Sequence, residues 1–176
     1  QNIPIRTEDG KKIRKAFISQ KGYKLVSIDY SQIELRLIAA LANEGNMIDA
    51  FNKDLDIHRV TASVINNIKL EDVTKEQRRD AKSVNFGIIY GMGPRKLSRD
   101  TGLSFKSAKE YIDKYFFINK NIEKYINDII NFARDNEYVE NIVGRRRYLR
   151  EINSSQPQVR NQAERMAQNM PIQGLA

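Results

Sequence analysis

The sequence predicts an α+β fold that is mainly α. Apolar residues recur every three or four positions over most of the chain, which is the spacing of amphipathic helices. Residues typical of strands are concentrated in two stretches, 16–29 and 138–152. The chain has no internal repeat and no low-complexity linker, so we expect one continuous domain.

The first stretch, 16–29, predicts two short strands, of which the second ends at Asp29. A helix is expected next, because Ser31 and Glu34 have the S-x-x-E spacing of a capping box. Gly45 is expected to end this helix, since glycine readily adopts the left-handed conformation that follows many helices.

Helices are predicted throughout the middle of the chain. Residues 46–68 indicate two shorter helices, and Thr74-x-x-Gln77 is a second capping box that opens a longer one. That helix is expected to run to Tyr90, with Gly91 as its terminator. Two further helices are predicted at about 104–117 and 119–135, with buried faces formed by Tyr111, Ile112, Tyr115, Phe116, Ile122, Ile126, Ile129 and Ile130.

The last quarter of the chain predicts a β-hairpin and a final helix. The hairpin strands are 138–143 and 147–152, on either side of Gly144. Pro157 is expected to begin the helix, because proline is favoured in a first helical turn. Pro171 is expected to bend or end it.

The composition favours a polyanionic partner. Lys and Arg number 30 against 22 Asp and Glu, which gives a net charge of +8 and a pI near 9.6. Charge alone does not distinguish a nucleic acid from a phosphorylated ligand.

The absence of cysteine excludes disulfides and thiolate metal sites. No apolar run approaches the ~20 residues that span a bilayer, so we expect no membrane association and a soluble, intracellular protein.

Asp29 is a candidate metal ligand, because a carboxylate at the end of a strand can be held rigidly beside a cleft. Mg²⁺ prefers carboxylate oxygens and often completes its shell with phosphates and water. The alternative is a helix-entry aspartate that interacts with the positive end of the helix dipole.

The helix from Thr74 carries Arg78, Lys82, Phe86 and Tyr90 at intervals of four residues. Residues so spaced are neighbours on one helix face. Two cations followed by two aromatics match a nucleotide lying along the helix, with its triphosphate on the cations and its sugar and base on the rings. The alternative is that the cations are solvated and the aromatics belong to the core.

Two other residues have both a functional and a structural interpretation. His58 is the single histidine, so it is a poor metal ligand; it could contact a phosphate or be a structural histidine. Glu34 could serve in the capping box, in a substrate site, or in both.

Positive charge is concentrated in the last quarter of the chain, where arginines suit phosphate contacts that position a duplex. These arginines are Arg145, Arg146, Arg147, Arg150, Arg160 and Arg165. Arg165, Asn169 and Gln173 are four residues apart and could donate to the acceptors that every base pair presents in the minor groove. The alternative is a polar, solvated face.

Several motifs together resemble family A DNA polymerases of the bacterial DNA polymerase I type. Asp29-Tyr30-Ser31-Gln32-Ile33-Glu34-Leu35-Arg36 resembles motif A, and Arg78-x3-Lys82-x3-Phe86-x3-Tyr90-Gly91 resembles motif B, the fingers helix. Further matches are Gln1-Asn2-Ile3-Pro4 with Arg6, Asp56-Ile57-His58, Gly144-Arg145-Arg146-Arg147-Tyr148 and Ala163-Glu164-Arg165-Met166-Ala167. The resemblance extends from residue 1 to Gly174.

The resemblance implies a role for each matched residue. Asp29 would bind two Mg²⁺ ions, one of them together with the backbone carbonyl of Tyr30. Arg78, Lys82 and His58 would hold the triphosphate of a dNTP, and Lys82 would also protonate the leaving pyrophosphate. Glu34 would exclude a ribose 2′ hydroxyl, and Phe86 would stack on the nucleotide. Gln32 and Arg36 would support the nucleotide and the primer end. Tyr90 and Gly91 would lie at the template, and Arg145, Arg146, Arg160, Arg165, Asn169 and Gln173 would contact DNA.

The resemblance also implies an architecture. Residues 1–36 would be part of the palm, with short antiparallel strands and motif A; residues 37–137 would be the helical fingers; and residues 138–176 would be a hairpin and helix that return to the palm. The chain lacks the family's thumb and motif C (His-Asp-Glu), which supplies the second metal-binding aspartate. We therefore expect an excerpt of a polymerase that is inactive in isolation, because two metals need ligands on both sides.

The expected function is DNA-directed DNA synthesis on a primer-template by a monomeric enzyme, located in the cytoplasm of a cell or of a phage's host. The alternative is a non-catalytic nucleic-acid-binding module. A nucleotide-binding enzyme of another kind is less favoured, because the chain has no Gly-x4-Gly-Lys-Ser/Thr loop.

Overall fold

The computed structural model describes residues 7–176, so the sequence match at Gln1-Asn2-Ile3-Pro4 with Arg6 lies outside the described residues. Over the described range the helices are α1 (Glu8–Lys15), α2 (Ile33–Leu41), α3 (Gly45–Asn52), α4 (Ile57–Asn66), α5 (Lys75–Ile89), α6 (Pro94–Thr101), α7 (Phe105–Ile118), α8 (Lys120–Asn136) and α9 (Pro157–Gln173). The strands are β1 (Tyr138–Glu140) and β2 (Arg146–Tyr148), and short 3₁₀ turns occupy Leu70–Asp72 and Arg150–Asn153. The prediction of a mainly helical α+β fold is confirmed.

The chain forms two compact units, Gln1–Ser31 and Gln32–Ala176. In the first unit, α1 begins after Thr7, whose hydroxyl accepts the N–H of Gly10 at 3.1 Å. Acidic residues in its first turn and basic residues in its last turn complement the helix dipole. The sequence analysis did not predict this helix.

The two strands predicted within 16–29 are wrong. After Ala16 the described part of the first unit contains no strand. A strand requires a hydrogen-bonded neighbour, and the alternating apolar side chains have no sheet to cover them. Ile18, Val26 and Ile28 are 82%, 77% and 86% exposed. The composition of this stretch is typical of strands, but strand pairing also depends on a neighbouring strand from elsewhere in the fold.

The second unit is built around a helical core. Its largest buried side chains come from α2, α4, α5, α6, α7 and α8: Leu35, Ile38, Ile57, Ile89, Leu97, Tyr115 and Ile122. A smaller apolar cluster joins α8, the hairpin and α9 through Ala133, Val139, Leu149, Ile152, Ala163, Ala167 and Met170. Helices α4 and α5 also share a cluster of Ala62, Val73 and Ala81.

Both ends of α2 differ from the prediction. The helix begins after Gln32, which is left-handed (φ 55°) and caps the helix without a side-chain hydrogen bond, so the N-cap is Gln32 instead of the predicted Ser31. The helix ends at Leu41 because Asn43 (φ 51°) provides the left-handed turn, with Glu44 N–H donating to the carbonyl of Ala39. Gly45 begins α3 instead of ending α2.

The predictions for the middle helices are confirmed. The two helices expected within 46–68 are α3 and α4, and those expected at about 104–117 and 119–135 are α7 and α8. In the capping box of α5, Thr74 Oγ1 accepts the N–H of Gln77 at 3.1 Å and Gln77 Oε1 accepts the N–H of Thr74 at 2.9 Å. Gly91 (φ 64°) follows this helix as expected. Helix α6 was not predicted, although Pro94 in its first turn and Gly102 (φ 81°) after it are the usual end signals.

The hairpin is shorter than predicted. Its strands pair antiparallel with Tyr138 opposite Tyr148, and 150–153 forms a 3₁₀ turn instead of a strand. Asn141 Oδ1 accepts the N–H groups of Val143 and Arg145 and so shapes the turn at Gly144 (φ 80°). Pro157 begins α9 as predicted, but the helix continues through Pro171 to Gln173. In residues 7–176 no helix is both long and apolar enough to cross a membrane.

Candidate functional site

Helix α5 and its C-cap residue Tyr90 present the four residues at intervals of four on the side away from the core. Its core side carries Val84 and Ile88, at 1% and 4% exposure. The side chain of Arg78 is 40% exposed, and Lys82 is exposed. Phe86 is half-buried against the helical core and Tyr90 is 37% exposed. The packing therefore leaves all four side chains at least partly accessible, with Lys82 and Tyr90 exposed and Arg78 and Phe86 half-buried.

Asp56, which the sequence analysis assigned no role, holds Arg78. Asp56 Oδ2 accepts a hydrogen bond from Arg78 Nε at 2.6 Å. Its other oxygen, Oδ1, caps α4 by accepting the N–H groups of His58 and Arg59 at 3.0 and 3.3 Å. Partial burial acts to raise the pKa of Asp56, but these hydrogen bonds and the charge of Arg78 outweigh it and lower the pKa below its usual value.

His58 lies beneath the row, buried to 2% exposure. Its Nδ1 is 3.0 Å from the amide nitrogen of Asn85, and its ring centroid is 5.7 Å from that of Phe86. Burial lowers the pKa of His58 to about 4; Asp56 opposes this, whereas the charges of Arg78 and Lys82 add to it. The imidazole is therefore uncharged at neutral pH.

Asn85 is a second residue that the sequence analysis missed. It is fully buried, and its Oδ1 lies 3.1 Å from the hydroxyl of Thr61, which donates to the carbonyl of Ile57 at 2.9 Å. The sequence does carry a signal, because Asn85 is an amide on the apolar side of α5. A buried amide needs partners, so its position indicated a polar contact with the neighbouring helix.

The end of α5 meets Glu34 of α2. The hydroxyl of Tyr90 donates to Glu34 Oε2 at 2.5 Å. Burial raises the pKa of Tyr90, the hydrogen bond to Glu34 and its charge raise it further, and a hydrogen bond from Gln173 acts in the opposite direction. Because Gln32 is the N-cap, Glu34 lies at the second position of α2 and not at the third, which a capping box requires. Its carboxylate accepts a hydrogen bond from a residue 56 positions away.

Gly91 lies against α9. A Cβ at this position would be 2.6 Å from Arg165 Cγ and 2.6 Å from Gln168 Oε1, and the left-handed backbone also favours glycine. The predicted template residues Tyr90 and Gly91 therefore lie beside the predicted DNA-binding row on α9. Gln168 Oε1 and Asn169 Oδ1 are buried there without a hydrogen-bond partner within the described part of the chain.

The hairpin and α9 enclose a groove of about 340 Å³ lined by Arg145, Arg146, Arg147, Met170, Gln173 and Gly174. Arg146 is held by an ion pair with Glu140 and lies 4.6 Å from the ring centroid of Tyr138. Arg160 lies outside the groove and donates to the carbonyl of Ser154 at 3.0 Å. The structure thus brings together the predicted DNA-binding residues Arg145, Arg146 and Gln173.

The predicted motif A residues are divided between the two units. Asp29 and Tyr30 are in the first unit and exposed, with Tyr30 at 76%. Gln32, Glu34 and Arg36 are in the second, where the Arg36 guanidinium lies 4.5 Å from the ring centroid of Phe51. Within residues 7–176 no group of three or more histidine and acidic side chains is placed to hold a metal ion.

Comparison with known proteins gives consistent matches. The family model described as DNA polymerase family A matches residues 1–176. DNA polymerase I of Pseudomonas aeruginosa is 48% identical over all of this chain, and DNA polymerase I of Deinococcus radiodurans is 47% identical over the same length. This chain covers 19% and 18% of those two proteins, so it spans about a fifth of the curated relatives.

A solved structure is also similar, the POL domain of Pol1 from M. smegmatis in complex with DNA primer-template and dNTP. The TM-score is 0.85 at 40% identity, and the match covers 98% of this chain and 31% of that one. Together with the family model, which matches the whole sequence, these similarities show that the chain belongs to DNA polymerase family A.

Proposed function

We propose that this chain is the nucleotide-binding part of a DNA-directed DNA polymerase, which transfers dNMP from a dNTP to a primer 3′ hydroxyl. The observation that carries the proposal is the accessible pair Arg78 and Lys82, one turn apart on α5, with Arg78 held by Asp56. The relatives are named DNA polymerase I, and the similar solved domain is in complex with DNA primer-template and dNTP. In this proposal residues 37–137 are the fingers.

The two cations would bind the triphosphate. Charge-assisted hydrogen bonds to phosphate are short and strong, and an arginine can offer two parallel donors. Lys82 has no ion-pair partner anywhere in residues 7–176, so its ammonium is available to a ligand. Lys82 would also give a proton to the leaving pyrophosphate, a role that suits a positioned ammonium.

The next two positions along α5 would hold the sugar and base. Phe86 would stack on the nucleotide, and its half-buried ring is fixed by contact with His58. His58 would support the triphosphate end as a neutral group, because its pKa is about 4.

Glu34 would exclude a ribose 2′ hydroxyl. The hydrogen bond from Tyr90 fixes the position of the carboxylate, which a steric barrier requires. Gln32 and Arg36, on either side of Glu34 at the start of α2, would support the nucleotide and the primer end.

DNA would lie along the hairpin groove and α9. Arg145, Arg146 and Arg160 would contact phosphates, while Arg165, Asn169 and Gln173 would contact the minor groove of the terminal base pair.

A polymerase of this kind would use Mg²⁺, which stabilises the charge that develops on the transferred phosphoryl group. Asp29 and the carbonyl of Tyr30 would be ligands, but residues 7–176 do not by themselves complete a site for the ion. The remaining ligands would come from elsewhere in the polymerase.

The first prediction separates phosphate binding from solvated charge. In the complete polymerase, Lys82→Ala should lower kcat/KM for single-nucleotide addition at least about tenfold, because a charge-assisted phosphate contact contributes roughly 1.5–3 kcal/mol. Primer-template affinity at fixed salt should be nearly unchanged. Lys109→Ala removes an exposed lysine from α7 and is the matched control. The assignment of Lys82 fails if addition is unchanged, or if duplex affinity falls in parallel.

The second prediction concerns sugar selection. Glu34→Ala should raise ribonucleotide incorporation relative to deoxynucleotide incorporation by at least about tenfold, which needs only 1.4 kcal/mol of relieved repulsion. Tyr90→Phe, which keeps the carboxylate but removes its hydrogen bond, should give a smaller increase. Both ratios are measured by competition between the two nucleotides on one primer-template. Unchanged selection in Glu34→Ala would remove the proposed role of this carboxylate.

The third prediction tests the buried, neutral state of His58. Unfolding exposes the imidazole and returns its pKa to 6.5, so below that pH only the unfolded state gains the proton until about pH 4. The free energy of unfolding is therefore highest above pH 6.5, and it falls by roughly 3 kcal/mol as the pH falls towards 4. Urea unfolding between pH 7 and 4 should show a shallower pH dependence for His58→Gln. Equal slopes for wild type and variant would show that His58 is not buried in the neutral form.

A further inference from the structure

We propose that Asp56 is a positioning residue for the triphosphate: it fixes Arg78 through Nε and leaves both terminal amino groups of the guanidinium free for phosphate. This inference rests on the proposed function, because it assigns Arg78 the triphosphate as ligand. It adds a residue on another helix that determines where that arginine points.

The carboxylate of Asp56 is itself fixed on both sides. Oδ1 accepts the N–H groups of His58 and Arg59 at the start of α4, and Oδ2 accepts Arg78 Nε at 2.6 Å. Hydrogen bonds to backbone amides allow an N-cap side chain little freedom. The Arg78 side chain is therefore held in a fixed position relative to the backbone of α4 as well as to that of α5.

The segment between the two helices is also anchored. Arg59, whose N–H is capped by Asp56, donates through Nη2 to the carbonyls of Leu70 and Val73 at 3.3 and 3.0 Å. These carbonyls lie just before Thr74, where α5 is capped. The start of α4 is thus connected to the entrance of α5 by two arginines, which limits relative movement of Asp56 and Arg78.

The geometry of the Asp56–Arg78 contact indicates that Asp56 positions the guanidinium and does not only neutralise its charge. A guanidinium has five N–H donors in one plane, and Asp56 uses the single one on Nε. Four donors remain on Nη1 and Nη2, which is enough for a bidentate contact with a phosphate. The Arg78 side chain is 40% exposed, so a ligand can reach it.

An ordered arginine binds phosphate more tightly than a mobile one, because a free arginine side chain must be immobilised on binding. Asp56 would remove most of that cost before the nucleotide arrives. Its lowered pKa keeps the carboxylate ionised at neutral pH, which is the form that holds Arg78.

The test is Asp56→Asn in the complete polymerase. Asparagine is as good an N-cap as aspartate, so α4 should keep its start while the charged contact with Arg78 is lost. We expect KM for the incoming dNTP to rise about tenfold, as for the loss of one charge-assisted contact, with a smaller change in kcat. Primer-template affinity should be unchanged, and the midpoint of urea unfolding should fall only slightly, because the lost ion pair is partly exposed. Asp54→Asn, an exposed carboxylate two residues earlier, is the matched control for the change in net charge.

A double-mutant comparison tests whether Asp56 acts through Arg78. In an Arg78→Ala background, Asp56→Asn should have no further effect on KM. A full additional loss would overturn the inference, and so would an unchanged KM in the single variant. A lower KM would overturn it too, because it would mean that Asp56 withholds Arg78 from the nucleotide.

The outcome for Arg78→Ala alone distinguishes the two proposals. If Arg78→Ala leaves KM unchanged, the proposed triphosphate site is wrong, and the role of Asp56 is wrong with it. If Arg78→Ala raises KM but Asp56→Asn does not, only the positioning role is overturned.

Discussion

The packing of α5 against α4 determines which side of α5 a ligand can reach. Val84, Asn85 and Ile88 face the core, so the cations and the edges of Phe86 and Tyr90 remain on the accessible side. The Asp56–Arg78 contact and the buried pair His58 and Asn85 join the two helices by polar contacts in the same region. Helix α5 is therefore held in place both by its buried apolar residues and by these polar contacts with α4.

The end of α5 is a second point of organisation, because three elements meet there. Tyr90 donates to Glu34 of α2, and Gly91 approaches α9 more closely than any side chain would allow. Tyr90 and Gly91, which directly follow α5, therefore contact both Glu34, the proposed sugar-selecting residue, and α9, which carries the row proposed to contact the terminal base pair. A displacement of α5 would therefore change the position of Glu34 and the contact with α9.

The sequence predicted what depends on local spacing. The Thr74–Gln77 capping box, the start of α9 at Pro157 and the row on α5 need only neighbours within a turn or two, and the structure contains them. The errors concern distant partners. The spacing of Ser31 and Glu34 predicts a cap at Ser31, but the N-cap is Gln32, and Glu34 accepts a hydrogen bond from the distant Tyr90. The stretch 16–29 has the composition of strands but no strand to pair with in the described residues. The sequence does not predict the contact of Asp56 with Arg78, because the two residues are 22 positions apart and only packing brings them together.

The most direct test of the account is a structure of the complete polymerase with primer-template and an incoming dNTP. The account predicts that the Arg78 terminal amino groups and Lys82 Nζ lie within about 2.7–3.2 Å of phosphate oxygens. It also predicts that Arg78 Nε remains hydrogen-bonded to Asp56. A triphosphate bound away from α5, or an Arg78 that leaves Asp56 to reach it, would contradict the account.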